Sequence, residues 1–350
     1  MNFFSRIRRK FFFTIERFNF LPLLLNGKSK ENFSSDGLVI FDTALGSDNL
    51  GDEIIRKYCL KILSELGLSP SIKLPTHKKP EKSLLSSTSA ESFKIIAGTN
   101  ILSVHEEHAF IWHKPPVKYL KNICLMGCGM NDYHGKFSIY SRFFYNKLLA
   151  KNFLHSVRDS FTENALHEIG IKNVLNTACP TMWKLTTDFC KEIPHKKTSV
   201  VVTTLTDYNQ DSEKDFFLLD TLLEKYSKVF IWIQGDRDLK YLDSYHKKNE
   251  LNKIGHTLQA YEDFLSPTDC DYVGTRLHAG IHALNHKKRS VIVAVDGRAV
   301  QIAKDTNLPV IRREEIKAKL SDFIEHDYAT EIRIPTDAIE KWKRQFMGEN

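Results

Sequence analysis

Arg276, Leu277 and His278 directly follow Gly274-Thr275. An arginine, a histidine, a hydroxyl and a turn glycine within five residues can together hold an anion and move a proton. Upstream, Cys270-Asp271-Tyr272-Val273 reads as a short strand, Gly274-Thr275 as a turn with an N-cap, and a helix is predicted from about Arg276. Leu277, Ile281 and Leu284 fall at i, i+4 and i+7 on one apolar stripe, and His278 and His282 share a different face. Such a turn aims free backbone N–H groups and the positive end of a helix dipole at whatever lies above it. Arg276 adds a planar, permanently charged fork suited to carboxylate or phosphate, and His278 can exchange a proton near neutral pH. His278 and His282 also have the spacing of a helical metal pair, but no Glu accompanies them as in H-E-x-x-H and no third ligand is evident, so no metal is expected. An arginine at a surface helix start beside a hydrogen-bonded histidine would look the same, so the stretch needs partners elsewhere.

Several segments end as this one does. The apolar run 38–41 leads through a polar turn to Asn49-Leu50-Gly51-Asp52-Glu53, which opens a helix carrying Ile54, Ile55, Tyr58, Ile62, Leu63 and Leu66. Asp52 and Glu53 there face a ligand or simply complement the dipole of a first helical turn. Runs 93–97, 123–126 and 153–157 close on Gly98-Thr99-Asn100, Gly127-Cys128-Gly129 and Arg158-Asp159-Ser160. Runs 200–204 and 229–233 repeat the pattern, the latter closing on Gln234-Gly235-Asp236, a pair that lines the same end or forms a solvated turn. Short apolar strands ending in small or polar turns and alternating with helices predict an α/β protein with parallel sheets, whose ligands sit beyond the strands' carboxyl ends. The Ser, Pro, Lys and Thr-rich stretch 69–92 reads as a loop.

The division expected is a basic aromatic segment over 1–35, an N-terminal α/β domain over 36–190, a linker-like 190–198, a C-terminal α/β domain over 198–330 bearing the Arg-Leu-His stretch, and a capped helix over 335–350 docking across the halves. The fold class is thus two open Rossmann-like halves facing a cleft, an architecture that resembles many glycosyltransferases.

The 350 residues are 42% hydrophobic and 27% charged, ordinary for a globular protein of two domains. Six cysteines show no C-x-x-C pair, which argues against a zinc ribbon, a redox dithiol or a disulfide framework, and fits a reducing cytoplasm. Residues 1–30 hold seven basic residues against one acid, so they carry +6 of the net +7 and leave the other 320 residues nearly neutral. A nucleic-acid footprint on the folded body is therefore not expected. No apolar run in the first 35 residues approaches a membrane span, and Glu16, Arg17 and Asn19 interrupt any signal-peptide core. That segment reads either as an amphipathic helix on an anionic membrane surface or as a helix packed against the domain with its charges in water.

Taken together, Asn49-Leu50-Gly51-Asp52-Glu53, Ser156-Val157-Arg158-Asp159-Ser160, Ala178-Cys179-Pro180-Thr181 and Gly274-Thr275-Arg276-Leu277-His278 resemble, in order and spacing, the motif set of the polysaccharide pyruvyl transferase family over roughly residues 38–312. The resemblance implies a glycosyltransferase-B-like fold and transfer of a pyruvyl group from phosphoenolpyruvate to a sugar of a surface polysaccharide or its lipid-linked precursor, giving a pyruvate ketal and phosphate. It implies that Arg158, Arg276, Leu277, Thr275, Asn49 and Gly51 bind substrate and that His278 is catalytic as proton donor. Asp52 or Asp159 would be the base, with Asp159 equally able to orient Arg158 by a salt bridge. No cofactor beyond the donor phosphoenolpyruvate is implied. The family's frequent Gly-Gly after an early strand is here Gly98-Thr99, a departure that bears on acceptor choice. Arg158, Arg276 and His278 are expected to converge on one pocket. The place expected is the cytoplasm, peripherally at the inner membrane face through residues 1–30. A nucleotide-sugar glycosyltransferase and a non-catalytic glycan-assembly protein are the competing readings.

Overall fold

The structure, a computed structural model, describes Phe33 and residues 37–78, 80, 81, 83, 84, 88, 92–108 and 120–347. Apart from Phe33, the basic segment 1–35 lies outside the described residues. The chain divides into two compact units. Among the described residues the first unit runs to Ser47, resumes over Cys59–Thr177 and takes the chain from Asp337 onward; the second holds Asp48–Tyr58 and Ala178–Thr336. The chain changes units ahead of the linker-like 190–198 stretch, and 48–58 groups with the second unit although it lies far back in the sequence. The cause is apolar spacing: Leu50, Ile54 and Tyr58 recur every fourth residue and join the second unit's core, while Leu50 N–H donates to Gln234 O at 3.4 Å.

In the first unit, β1 (Val39–Asp42), β2 (Ile72–Pro75), β3 (Lys94–Ala97) and β4 (Ile123–Met126) form a parallel sheet in the order β2-β1-β3-β4. β5 (His155–Val157) pairs with β6 (Val174–Asn176), and the Cys128↔Val157 bridge with Gly127 N–H donating to Ser156 O at 2.9 Å carries the order on past β4. β1, β3 and β4 are buried along their whole length, as strands covered on both faces must be. β2 corrects the reading of 69–92 as a loop. It is a four-residue edge strand with mostly half-exposed side chains, so it has no apolar run to betray it, and backbone pairing to β1 alone defines it.

In the second unit, β7 (Val200–Thr203), β8 (Lys228–Trp232), β9 (Asn252–Ile254), β10 (Asp271–Gly274), β11 (Ser290–Ala294) and β12 (Val310–Arg312) are all parallel, in the order β12-β11-β10-β7-β8-β9. The order reverses between β7 and β10, which makes the ends of these two strands the switch point where doubly wound sheets take their ligands. Alternate residues feed opposite cores: Val201, Ile231, Val273, Val291 and Val293 enter one, and Val202, Trp232, Tyr272, Ile292 and Ala294 the other. The α/β class with two parallel-sheet units read from the sequence is the one observed. No helix of the described residues is long and apolar enough to cross a membrane.

The expected terminal helix forms over Thr336–Arg344 and buries Ile339 and Trp342. Its continuation belongs to the first unit, where the Gln345 amide exchanges hydrogen bonds with the backbone of Leu154 at 2.7 and 3.1 Å and Phe346 meets Phe33, Phe93 and Phe153. Met347, beyond the end of the helix, is exposed.

His155 is fully buried under this region. Its Nε2–H donates to Ala150 O at 2.9 Å, while Nδ1 accepts from Leu125 N–H at 3.3 Å, so both ring positions are committed to the neutral form. Burial pushes its pKa from 6.5 down to about 4, against the pull of the Ala150 carbonyl. An unfolded chain binds this proton more readily than the folded one, so stability falls as pH drops from about 6.5 to about 4, by at most about 1.4 kcal/mol per pH unit. Urea midpoints measured across that window should show the slope, and His155→Asn, which offers a donor and an acceptor without titrating, should lose it.

Candidate functional site

Gly274 ends β10 against the end of β7. A Cβ at this position would lie 2.7 Å from both Thr204 N and Thr204 Oγ1 and 2.9 Å from Tyr272 Oη, so only glycine permits the approach. Thr275 then stitches the two strand ends together: its N–H and its Oγ1–H both reach Thr204 O at 3.1 Å, and its hydroxyl is 2.8 Å from that of Thr206. Thr204 Oγ1 accepts from Arg276 N–H at 3.2 Å, and Tyr272 Oη–H donates to Arg276 O at 2.8 Å. The helix expected after this turn runs over Leu277–Asn285, with Arg276 as a residue at the N-cap that makes no side-chain cap. Gly280 lets it lie on the sheet, since a Cβ there would come within 2.5 Å of Ile292.

Arg276 is 7% exposed and is not a free fork. Its Nε–H donates to Leu205 O at 3.0 Å, and Nη2 binds the carboxylates of Asp207, at 2.9 Å, and Asp238. Burial raises the pKa of Asp238 while Arg276 opposes the rise. Tyr208 lies between two guanidinium groups, with Arg276 5.5 Å and Arg298 5.4 Å from its ring centre, and Arg298 is itself bound by Asp296 at 2.9 Å. Of the Gln234-Gly235-Asp236 turn, Gly235 is the N-cap of helix Asp236–Leu242, and it is Asp238 in its first turn, not Asp236, whose carboxylate reaches Arg276.

His278 is half-buried in the first turn of its helix, with Nε2 3.8 Å from Sγ of buried Cys179. Thr181 Oγ1–H donates to that sulfur at 3.1 Å. Ala178, just before, has φ 59°, a left-handed conformation uncommon for a residue with a side chain. Leu277 packs on the second unit's core. Asn49 Oδ1 accepts from Gly51 N–H at 3.1 Å and so caps helix Leu50–Glu65, and Asp52 is buried in that helix's first turn. Asn49, Gly51, Asp52, Thr275, Arg276, Leu277 and His278 therefore all belong to the second unit.

Arg158 and Asp159 belong to the first. Arg158 is 2% exposed; Nη2 donates to Met130 O at 3.1 Å and to Tyr133 Oη at 2.9 Å, and Nε lies 3.5 Å from Asp159 Oδ2. Tyr133 passes its own proton to the same Oδ2 at 2.8 Å, and burial lifts this phenol to about 12 with Arg158 pulling it down. Asp159 Oδ1 accepts from Thr162 N–H at 2.8 Å and from its hydroxyl at 2.6 Å, capping helix Ser160–Glu168. Both carboxylate oxygens are thus occupied, and of the two roles read from the sequence the geometry favours orienting Arg158. Gly129 makes the room, for a Cβ there would be 2.2 Å from Arg158 Nε. Thr99, in place of the family's second glycine, adopts φ 77°, where glycine is the residue without strain.

Sequence reading missed Asp207, Tyr208, Asp238, Arg298 and the Cys179–His278 approach. The rule that ligands gather beyond adjacent strand ends was the available signal, had β7 and β10 been known as neighbours.

Parallel doubly wound sheets with turns gathered at a switch point are the build of many ligand-binding α/β proteins. This chain belongs to the polysaccharide pyruvyl transferase family, a family of transferases, whose model matches residues 49–297. No curated relative matches the sequence. Among solved structures, the chain is similar to Methanocaldococcus jannaschii UDP-GlcNAc 2-epimerase in complex with UDP-GlcNAc and UDP, at 10% identity and a TM-score of 0.48 over 89% of this chain and 99% of that one. It is also similar to the wall teichoic acid polymerase TagF, at 9% identity and a TM-score of 0.40 over 99% of this chain and 91% of that one.

Gly129→Ala should expel the Arg158 side chain, and Tyr133→Phe should leave Asp159 Oδ2 and Arg158 Nη2 each short of a partner, at a cost of about 1–3 kcal/mol. Urea unfolding checks both, with Gly129→Ala the more damaging because its clash is with the guanidinium group itself.

Proposed function

We propose that this protein transfers a pyruvyl group from phosphoenolpyruvate to two hydroxyls of a sugar in a surface polysaccharide or its lipid-linked precursor, forming a pyruvate ketal and releasing phosphate. The observation that carries the reading is His278, at the start of a helix without a side-chain cap, next to Arg276 and at the switch point of the second unit's sheet, in a chain of this family. The start of that helix, which has no side-chain cap, and the guanidinium of Arg276 suit the donor's carboxylate or phosphate. Asp207 and Asp238 hold the guanidinium in place.

The first hydroxyl adds to the enol carbon while His278, as an imidazolium, protonates the methylene carbon to a methyl group. The hydroxyl's proton goes to a base, assigned to Asp52, with Asp159 in the role of orienting Arg158. The C–O bond to phosphate then breaks, and the second hydroxyl takes its place and loses its proton. Two C–O bonds form and one breaks, with phosphate as the leaving group. Thr275, Asn49 and Gly51 shape the turns that present these groups, and Leu277 anchors the helix. Arg158 takes its substrate-binding role from its motif alone and is tested by its own variant. Residues 1–30, with their +6 charge, are suited to draw the enzyme to an anionic membrane where a lipid-linked acceptor resides.

One observation favours a second reading. The strand order of the second unit is that of nucleotide-binding doubly wound sheets, so a nucleotide-sugar glycosyltransferase would use the same helix start for a diphosphate. Thermal shifts separate the two: stabilisation by phosphoenolpyruvate supports pyruvyl transfer, whereas stabilisation by UDP- or GDP-sugars alone supports the other. Phosphate release should require both phosphoenolpyruvate and a glycan acceptor, and His278→Ala should lower it roughly 10²–10⁴-fold with the fold intact. Wild-type turnover in purified His278→Ala would remove the proton-donor role, and loss of release in neither His278→Ala nor Arg158→Ala would remove the reading.

A further inference from the structure

The far end of the helix Leu277–Asn285 carries a second cluster. His282 and His286 stand one turn apart on it, and Glu262 reaches them from helix Leu258–Leu265; one ligand atom from each lies within 4.8 Å of the others. His282 is 1% exposed, and its Nδ1 is 3.0 Å from the hydroxyl of Tyr58. Its Nε2 lies 3.1 Å from Glu262 Oε1. A buried imidazole nitrogen thus faces a carboxylate, and a second nitrogen donor, that of His286, stands beside both.

We propose that Glu262, His282 and His286 bind one divalent transition-metal ion of the zinc class. Two imidazoles and a carboxylate are the donor set that borderline ions take, with a fourth position left for solvent. Bonds of about 2.1 Å in a tetrahedral arrangement put ligand atoms about 3.4 Å apart, close to the 4.8 Å within which these three already lie. Tyr58 supplies the outer support such a site needs, accepting the Nδ1 proton of His282 and leaving Nε2 free for the metal. His286 is at the C-cap of its helix, where the dipole favours a cation.

Lys57 is the competitor: its ammonium pairs with Glu262 Oε1, but half of its side chain is exposed, so it can swing into water as the metal enters. A bound ion would tie helix Leu258–Leu265 to the end of the helix that presents His278. It would therefore stiffen the mount of that residue without touching substrate.

The test uses the full chain without a histidine tag, dialysed against Co²⁺ and then freed of excess metal. One Co²⁺ per chain is expected, with visible bands of low-coordinate nitrogen and oxygen ligation and no thiolate charge-transfer band, together with a raised melting temperature. Glu262→Gln and the partly exposed His286→Ala should weaken binding at least about tenfold, and His278→Ala should leave it unchanged. No Co²⁺ retained by the wild type, equal retention by His286→Ala, or loss in His278→Ala would overturn the proposal. Circular dichroism of each variant keeps loss of metal distinct from loss of fold.

Discussion

The second unit depends on how closely the ends of β7 and β10 approach. Where the strand order reverses, no crossover helix covers the ends, and the two strands must come together through their own turns. Gly274 supplies the clearance, and Thr204, Thr206 and Thr275 fill the gap with hydroxyl and backbone bonds. Because Thr204 also accepts from Arg276 N–H, the strand contact fixes where the helix starts, and with it the direction of Arg276 and the height of His278. Adding a methyl group at Gly274 would disturb all three.

The two motif arginines are held by different means. Arg276 is buried among acids, with Asp207 and Asp238 on one nitrogen and a tyrosine face alongside, so its charge is balanced within the second unit. Arg158 bonds to the Met130 carbonyl and the Tyr133 phenol, with Asp159 at longer range. Loss of either carboxylate beside Arg276 would leave part of a buried charge uncompensated, which costs more than a surface ion pair. Loss of the Tyr133 hydroxyl would remove a neutral link. Geometry, and not charge alone, sets Arg158.

Much of this was legible in the sequence where burial is simple. Apolar runs such as Ile123-Cys124-Leu125-Met126 and Val200-Val201-Val202 announce strands covered on both faces, and the turns that follow them mark the ligand end. The helix over Leu277–Asn285 and its turn followed from spacing. What escaped depends on neighbours far away in the chain. The edge strands β2 and β9 have few apolar residues and exist by pairing, so nothing local signals them. Asp207 and Asp238 become partners of Arg276 only once β7 lies beside β10, and Glu262 joins His282 and His286 only once two helices pack on one face of the sheet. Thr99 shows the limit from the other side: the departure from Gly-Gly was visible, but only the backbone shows that a threonine there adopts a glycine's conformation.

The grouping of Asp48–Tyr58 with Ala178–Thr336 bears on how the chain is made. A ribosome delivers this short segment more than a hundred residues before the rest of its unit, so it cannot reach its final neighbours as it emerges. The second core therefore closes late, and until then Leu50, Ile54 and Tyr58 present an apolar edge to solvent and to chaperones. The two units are not beads to be separated with one cut: a fragment beginning at Ala178 would lack Ile54 from its core and the phenol that supports His282. The strand of chain that returns across more than a hundred residues makes assembly of this protein a matter of timing as well as of stability.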